Sequence, residues 1–302
     1  MKNTKPKVRL WSVLTGLTAI LTVAAIVGNI IANQYATTIN VALNASTYKI
    51  IHGENTGDTE YFKKGFASDE EREAYEAELC ATVEAEGAAL LKNENNALPL
   101  ASGAKVSLFG HGSVDLMYGG TGSGSVDTSK APNLKQALEA QGITINQTLW
   151  DLYSSDSMMS KYSRLTPASI SDTLEANTQY AVNEAPWSAL SSAESSFAEY
   201  GDAAIVVLSR SGGEGADLPS GENGTSDSWI SGQEGDGNYL ALSAEEIELL
   251  QNLKALKDNG TFKNIVVLIN SSNAIELDFL NPEICGEDYG IDAVSYTHLR
   301  AH

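Results

Sequence analysis

The sequence predicts an α/β fold: a mainly parallel sheet sandwiched by helices, preceded by one transmembrane helix. Three observations support that class. AAIVVLS (203–209) and NIVVLIN (264–270) are continuous apolar runs, too unbroken to alternate, as in strands buried on both faces. Helical stretches opened by Ser-x-x-Glu capping boxes, at Ser68/Glu71 and Ser243/Glu246, alternate with such strands. Finally, Leu10 to Ala32 form a run of 23 residues without a charge. At about 1.5 Å per residue that run spans a hydrocarbon core of about 30 Å.

Lys2, Lys5, Lys7 and Arg9 precede the apolar run with no acid among them. Basic residues hold their end in the cytoplasm, so residues 1–9 are read as a cytoplasmic tail and everything after 32 as exported. A secretory signal has a shorter apolar core, roughly 7–15 residues. The expectation is therefore an uncleaved single-pass anchor at 10–32 that places the chain in the cell membrane, with a cleaved signal as the alternative. Setting those four basic residues aside takes the net charge from −20 to −24 for the exported part. Such a balance argues against a nucleic-acid partner, because a phosphate backbone requires Lys/Arg-rich surfaces. Residues 33–66, rich in Asn, Thr and Gly, read as a juxtamembrane stalk.

The regular pattern begins at Ser68. SDEEREAYEAELCATVEAEGAALLKNE reads as one long helix whose acidic start suits the positive end of the helix dipole. Leu79, Val83, Ala85, Leu90 and Leu91 give it an apolar side. KVSLFG (105–110) is a short strand running into glycines. A helix around Asn133–Ala140, the strand ITI (143–145) and a helix within 187–199 follow. Residues 151–200, rich in Ser and Ala, look like an insertion or an irregular helical stretch. After the strand at 203–209, AEEIELLQNLKAL forms the helix opened by Ser243, and IDAV (291–294) begins a last strand. The terminal SYTHLRAH resembles the translation of a transposase-type sequencing adapter. Residues 295–302 are accordingly expected to be read-through with nothing packed against them, leaving a sandwich domain at 67–294 that is incomplete. A genuine short tail is the alternative.

Two loops sit where open α/β sheets place ligands, at the carboxyl ends of strands. GHGSVDLMYGGTGSGSVD (110–127) lacks both the GxGxxG and the GK[ST] spacing, which removes a nucleotide reading. It offers Tyr118 and Asp127 as substrate-binding candidates, against the alternative of a plain tight crossover. SRSGGEGADLP (209–219) carries Glu214 between glycines, with Asp217 behind it as a further substrate-binding candidate. A glutamate on such a loop suits glycoside hydrolysis, which needs a carboxylic acid to protonate a leaving oxygen and later activate water. Composition alone favours a different reading: Ser211 to Leu253 contain no Lys or Arg, so the acids there could be one solvated face. A calcium loop is a third option, weakened by the absence of DxDxDG spacing. Neither metal nor organic cofactor is expected. His52 and His111 stand outside the suspect tail with no visible nucleophile constellation, and Cys80 and Cys285 form no CxxC pair.

EGAALLKNENNALPL (86–100), KVSLFGHGSVDLMYGGTGSGSVD (105–127), AAIVVLSRSGGEGADLP (203–219) and LSAEEIELLQNLKAL…FKNIVVLINSSNAIEL (242–277) together resemble glycoside hydrolase family 3, the β-glucosidase family. The likeness is to its α/β-sandwich domain and runs from about 68 to 294. It implies a partner (β/α)8 barrel that supplies an aspartate nucleophile, while the sandwich lends a loop glutamate as acid/base. That glutamate matches Glu214. The barrel's aspartate motif has no counterpart; Asp227-Ser228-Trp229 lies in a loop and is not it. An anchor and stalk ahead of the sandwich fit the inverted order, sandwich first and barrel last. The resemblance thus implies part of a membrane-anchored, extracytoplasmic, retaining exo-β-glycosidase acting on an oligosaccharide or glycoside, inert without its barrel. The alternative function is a non-catalytic surface carbohydrate-binding or scaffolding module.

Overall fold

The structure, a computed structural model, describes residues 5–43, 65–120, 126–166, 180–213 and 238–298. The chain divides into two compact units, Met1–Ala67 and Ser68–His302.

In the first unit, α1 (Lys5–Gln34) is followed by the short α2 (Ala36–Ala42). Within α1, Leu10–Gln34 is long and apolar enough to cross a membrane by length and composition, a criterion that a signal sequence near an N-terminus also meets. Its threonine hydroxyls are satisfied within the helix. The hydroxyls of Thr15, Thr18 and Thr22 each donate to the carbonyl four residues back, at 2.9 Å. Hydrocarbon offers no other partner for such groups.

The second unit opens with α3 (Asp69–Gly87), whose cap Ser68 accepts from the Glu71 N–H at 3.2 Å. The sequence expectation of a helix running on to 94 is corrected here. Gly87 ends α3, Ala88 turns extended, and Ala89–Asn93 becomes strand β1. Leu90 and Leu91 thus belong to a strand, while α3 buries none of its residues and leaves Leu79 and Val83 exposed. A neighbouring strand with unpaired N–H and C=O groups outweighs the weak helical preference of ALLKN.

That neighbour is β6 (Ala293–His298) in a six-stranded sheet of order β1-β6-β5-β4-β2-β3. The others are β2 (Lys105–Phe109), β3 (Thr144–Ile145), β4 (Ala203–Arg210) and β5 (Ile265–Ser271). β1 pairs antiparallel with β6; the remaining pairs are parallel. All eight residues of β4 are buried, the result its uninterrupted apolar run predicts. The expectation that nothing packs against the tail is corrected, whatever the origin of those residues: Ser295–His298 extend β6 along β5, and Tyr296 packs against the core. A ladder of backbone hydrogen bonds accepts any extended residue, whatever its side chain.

Alternation along the strands splits the core into two faces. Ala204, Val206 and Leu208 face one side with Phe109 and Val267; Ala203 and Ile205 face the other with Val106, Leu108 and Val266. The first side is covered by α5 (Gln147–Tyr153), a 3-10 helix at Trp187–Tyr200 and α7 (Ala244–Asp258), after α4 (Leu134–Ala140) and α6 (Asp156–Tyr162) in chain order. The expected helix at 187–199 is therefore present, wound as 3-10. Its Ser196 hydroxyl donates to the Ala193 carbonyl at 2.6 Å, the local competition by serine that tightens a helix. On the second side Leu134 and Leu138 of α4 pack beside Trp150. α8 (Pro282–Cys285) leads into β6.

Phe109 is the hub of the first face, with ring centroids 5.2 Å from Phe197 and 5.7 Å from Phe262. Phe109→Ala is expected to cost about 3–5 kcal/mol in urea unfolding of the full chain followed by tryptophan fluorescence. Ile284→Ala, at an exposed site, should change stability by no more than about 0.5 kcal/mol.

Candidate active site

Parallel strands deliver their outgoing loops to one edge of the sheet, so the segments leaving β2, β4 and β5 meet there. They meet closely enough to need glycine. Gly110 has φ +82, and a Cβ on it would stand 2.8 Å from the Val207 carbonyl oxygen. A Cβ on Gly212 would collide with the Asn273 side chain at 2.6 Å. Side chains then tie the three segments together. Asn270, leaving β5, accepts from the Met117 N–H at 2.7 Å and donates back to the Met117 carbonyl at 2.9 Å. The Gly212 N–H donates to Ser272 Oγ at 2.9 Å, and Asn273 Nδ2 donates to the Ser211 carbonyl at 2.8 Å.

The end of β4 carries Arg210, which has no solvent exposure. Its guanidinium is fully satisfied. Nη1 and Nη2 form a fork onto Glu246 of α7 at 2.8 and 2.6 Å, Nε donates to the Tyr239 carbonyl at 2.7 Å, and the Ser209 and Ala241 carbonyls take the other two N–H groups. Burial opposes the charge on Arg210, but the Glu246 carboxylate overcomes it and holds the pKa above its ordinary value. The Tyr239 hydroxyl donates to the Ser211 carbonyl at 3.0 Å, and burial pushes its pKa up. The clamp therefore joins the strand end at 210–211 to the returning arm at 239–241. Glu214 and Asp217, like Glu222, Asp227, Glu234 and Asp236, lie between those anchors and outside the described residues.

The loop after β2 holds the other sequence-derived candidates. Tyr118 is half-buried on the wall of a cavity of about 460 Å³, with its hydroxyl donating to the Pro132 carbonyl at 2.8 Å. Burial, and then the Asp115 charge, raise its pKa. Asp127 is exposed, and its carboxylate accepts from the Ser129 N–H at 2.9 Å, which lowers its pKa. It caps a turn and does not line the cavity, although its neighbours Val126 and Thr128 do. Tyr118 and Asp127 are thus not brought together at one surface.

Three pairings escaped sequence reasoning. Arg164 Nη2 donates to Asp115 Oδ1 at 3.1 Å on the cavity wall. His111 is buried, and one oxygen of the buried Glu184 accepts from both its backbone N–H (2.9 Å) and its Nδ1 (3.0 Å). Its Nε2 has no hydrogen-bond partner among the described residues. Burial and the Glu184 charge push the nearby Tyr153 phenol well up; its hydroxyl accepts from the Gly110 N–H at 3.1 Å. The third pair is Arg210–Glu246; its only sequence signal was an arginine ending an otherwise uncharged strand. Cys80 and Cys285 are free and exposed, and no group of three His, Cys, Asp or Glu residues gathers among the described residues.

Breaking a buried ion pair strands a charge. Arg210→Met and Glu246→Gln should each destabilise the chain by about 3–5 kcal/mol in urea unfolding, whereas Arg210→Met combined with Glu246→Leu should recover much of that loss. Additive losses would show that the two side chains act separately.

A family model described as the glycosyl hydrolase family 3 C-terminal domain matches residues 88–286, from the exit of α3 to just before β6. β-Glucosidase A of Butyrivibrio fibrisolvens is 34% identical over 146 residues, covering 46% of this chain and 15% of that protein. The crystal structure of a β-glucosidase from Paenibacillus barengoltzii superposes with a TM-score of 0.52 at 25% identity, over 73% of this chain and 21% of the other. β-Glucosidase 3B of Thermotoga neapolitana, solved in complex with glucose, shares the fold with a TM-score of 0.50 at 22% identity, over 74% of this chain and 27% of its own. The chain thus spans between 15% and 27% of the length of these proteins. With the family match covering residues 88–286, most of the chain, the chain belongs to glycosyl hydrolase family 3.

Proposed function

We propose that the chain is the sandwich part of a retaining exo-β-glycosidase, β-glucosidase-like in its substrate, with Glu214 as the general acid/base. The observation that carries this reading is the clamp at the end of β4. Arg210 and Tyr239 fix both ends of the segment bearing Glu214 at the carboxyl edge of the sheet, beside the cavity after β2. A carboxyl carried there can reach a glycosidic oxygen presented by a neighbouring domain. It first donates a proton to the leaving group and then, as carboxylate, removes one from the water that hydrolyses the glycosyl-enzyme. The nucleophile is an aspartate of a (β/α)8 barrel that follows the sandwich in the gene product, with the two carboxyls about 5–5.5 Å apart. Family membership supports the glycosidase class, and the glucose complex of the Thermotoga relative is in keeping with a glucoside substrate.

Within the full-length gene product, Glu214→Ala should lower kcat/KM for alkyl glucosides by about 10²–10⁴-fold. Activated aryl glucosides need little protonation, so their glycosylation should suffer far less, while deglycosylation slows and azide partly restores it. Asp217→Ala is the comparison, because a merely solvated acidic face would treat both changes alike. Equal losses, or a Glu214→Ala enzyme without leaving-group dependence and azide rescue, would sink the assignment.

The same reading places residues 10–32 across the cell membrane with the sandwich outside, supported by the basic flank and the apolar length of α1. Carbonate extraction should leave the chain in the membrane pellet, and protease added to intact cells should digest residues beyond 33. Protection of the sandwich from that protease would overturn the topology.

A further inference from the structure

We propose that Asn259, in the turn between α7 and β5, is an acceptor for an N-linked glycan transferred from a lipid-linked oligosaccharyl diphosphate. The inference rests on the reading that the sandwich lies outside the membrane, and it involves neither Glu214 nor the cavity after β2.

An asparagine two residues ahead of serine or threonine, with no proline between them, is the acceptor pattern for such transfer. Among the described residues it occurs as Asn146-Gln147-Thr148, Asn259-Gly260-Thr261 and Asn270-Ser271-Ser272. The fold separates the three. Asn146 has no solvent exposure, and its Nδ2 donates to Ser107 Oγ at 3.1 Å and to Ser196 Oγ at 2.8 Å. Asn270 is half-buried, with its Nδ2 committed to the Met117 carbonyl at 2.9 Å. A sugar on either nitrogen would remove these bonds and intrude on packed surroundings. Asn259 is exposed, as are its neighbours Asp258 and Gly260.

The turn holds one end of the Asn259 amide and leaves the other uncommitted. Oδ1 accepts from the Thr261 N–H at 3.0 Å and from Thr261 Oγ1 at 2.7 Å, so the hydroxyl residue of the motif grips the carbonyl end. Nδ2 makes no hydrogen bond among the described residues. The backbone closes without it. The Gly260 N–H donates to the Lys257 carbonyl at 2.9 Å, and the Thr261 N–H also donates to the Leu256 carbonyl at 2.8 Å. Phe262 follows and is buried in the core, which fixes the turn on its inner side. A glycan on Nδ2 therefore costs the folded chain none of these bonds.

The turn feeds β5 at Ile265, at the amino edge of the parallel strands and opposite the edge reached by the loops after β2, β4 and β5. A glycan there leaves the candidate active site open. In the transfer, Asn259 Nδ2 attacks the anomeric carbon of the donor sugar. A C–N bond forms as the C–O bond to the diphosphate breaks. The Nδ2 proton passes to a base of the oligosaccharyltransferase, and the lipid diphosphate leaves. Transfer acts on the nascent chain, so the fold decides which glycosylated chains are retained.

The test uses the full chain made in a eukaryotic secretory system and purified in detergent as the folded fraction. Peptide-N-glycosidase F in heavy-oxygen water converts each glycosylated asparagine to a labelled aspartate, which peptide mass spectrometry assigns to its position. Label is expected at 259 and not at 146 or 270. Thr261→Ala should abolish the label at 259, and Thr261→Ser should keep it. A second version of the chain carries Gly-Ser-Asn-Gly-Thr after His302, a flexible acceptor that reports the side of the membrane. Label on that tag without label at 259 would overturn the proposal and leave the topology standing. Absence of label on both would overturn the two together. Label at 146 or 270 in the folded fraction, or label at 259 that survives Thr261→Ala, would also overturn the proposal.

Discussion

One guanidinium inside an otherwise apolar strand–helix interface governs the arrangement of the sandwich. Arg210 sits where β4 ends, fully buried, and an isolated charge there would be prohibitive. The cost is offset only if every N–H finds an oxygen, and five oxygens from three segments converge to provide that. Glu246 serves two ends at once, because the oxygen that accepts from Arg210 Nη2 also accepts from the Ser243 N–H and completes the capping box of α7. The start of a helix, the end of a strand and the arm at 239–241 are thereby one cooperative unit. None of the three can shift without leaving a charge or a carbonyl unpaired.

The same economy holds across the carboxyl edge of the sheet. Glycine at 110 and 212 lets backbones approach to contact distance, and the amides of Asn270 and Asn273 then stitch neighbouring loops together. A site assembled from such posts is preorganised for positioning without needing a ligand to shape it.

Legibility in the sequence followed the range of the interactions. β4 and β5 were plain because burial on both faces leaves an unbroken apolar run, and the caps at Ser68 and Ser243 are contacts between residues three apart. Helix α3 was overextended because ALLKN has a helical preference locally, while the strand that claims it lies at the far end of the domain. The pairing of Ser295–His298 is hidden for the complementary reason, since β5 supplies a partner that SYTHLRAH does not advertise. That Tyr118 lines a cavity is foreshadowed by its place on a glycine-rich loop after a strand. Arg164 and Glu184 were not, because nothing near them in the chain marks partners 49 and 73 residues away. Asp127 lies on the same loop, with its carboxylate occupied by its own turn.

The place of β6 between β1 and β5 has a consequence for biosynthesis. Ala89 pairs with Tyr296, so the first strand made waits for the last before it can join the sheet. At 5–20 residues per second, the nascent chain spends roughly 10–40 s with β1 unpaired. Throughout that interval the leucines of β1 lack their strand partner. Joining of β1 to the sheet is therefore a late event in the synthesis of the sandwich.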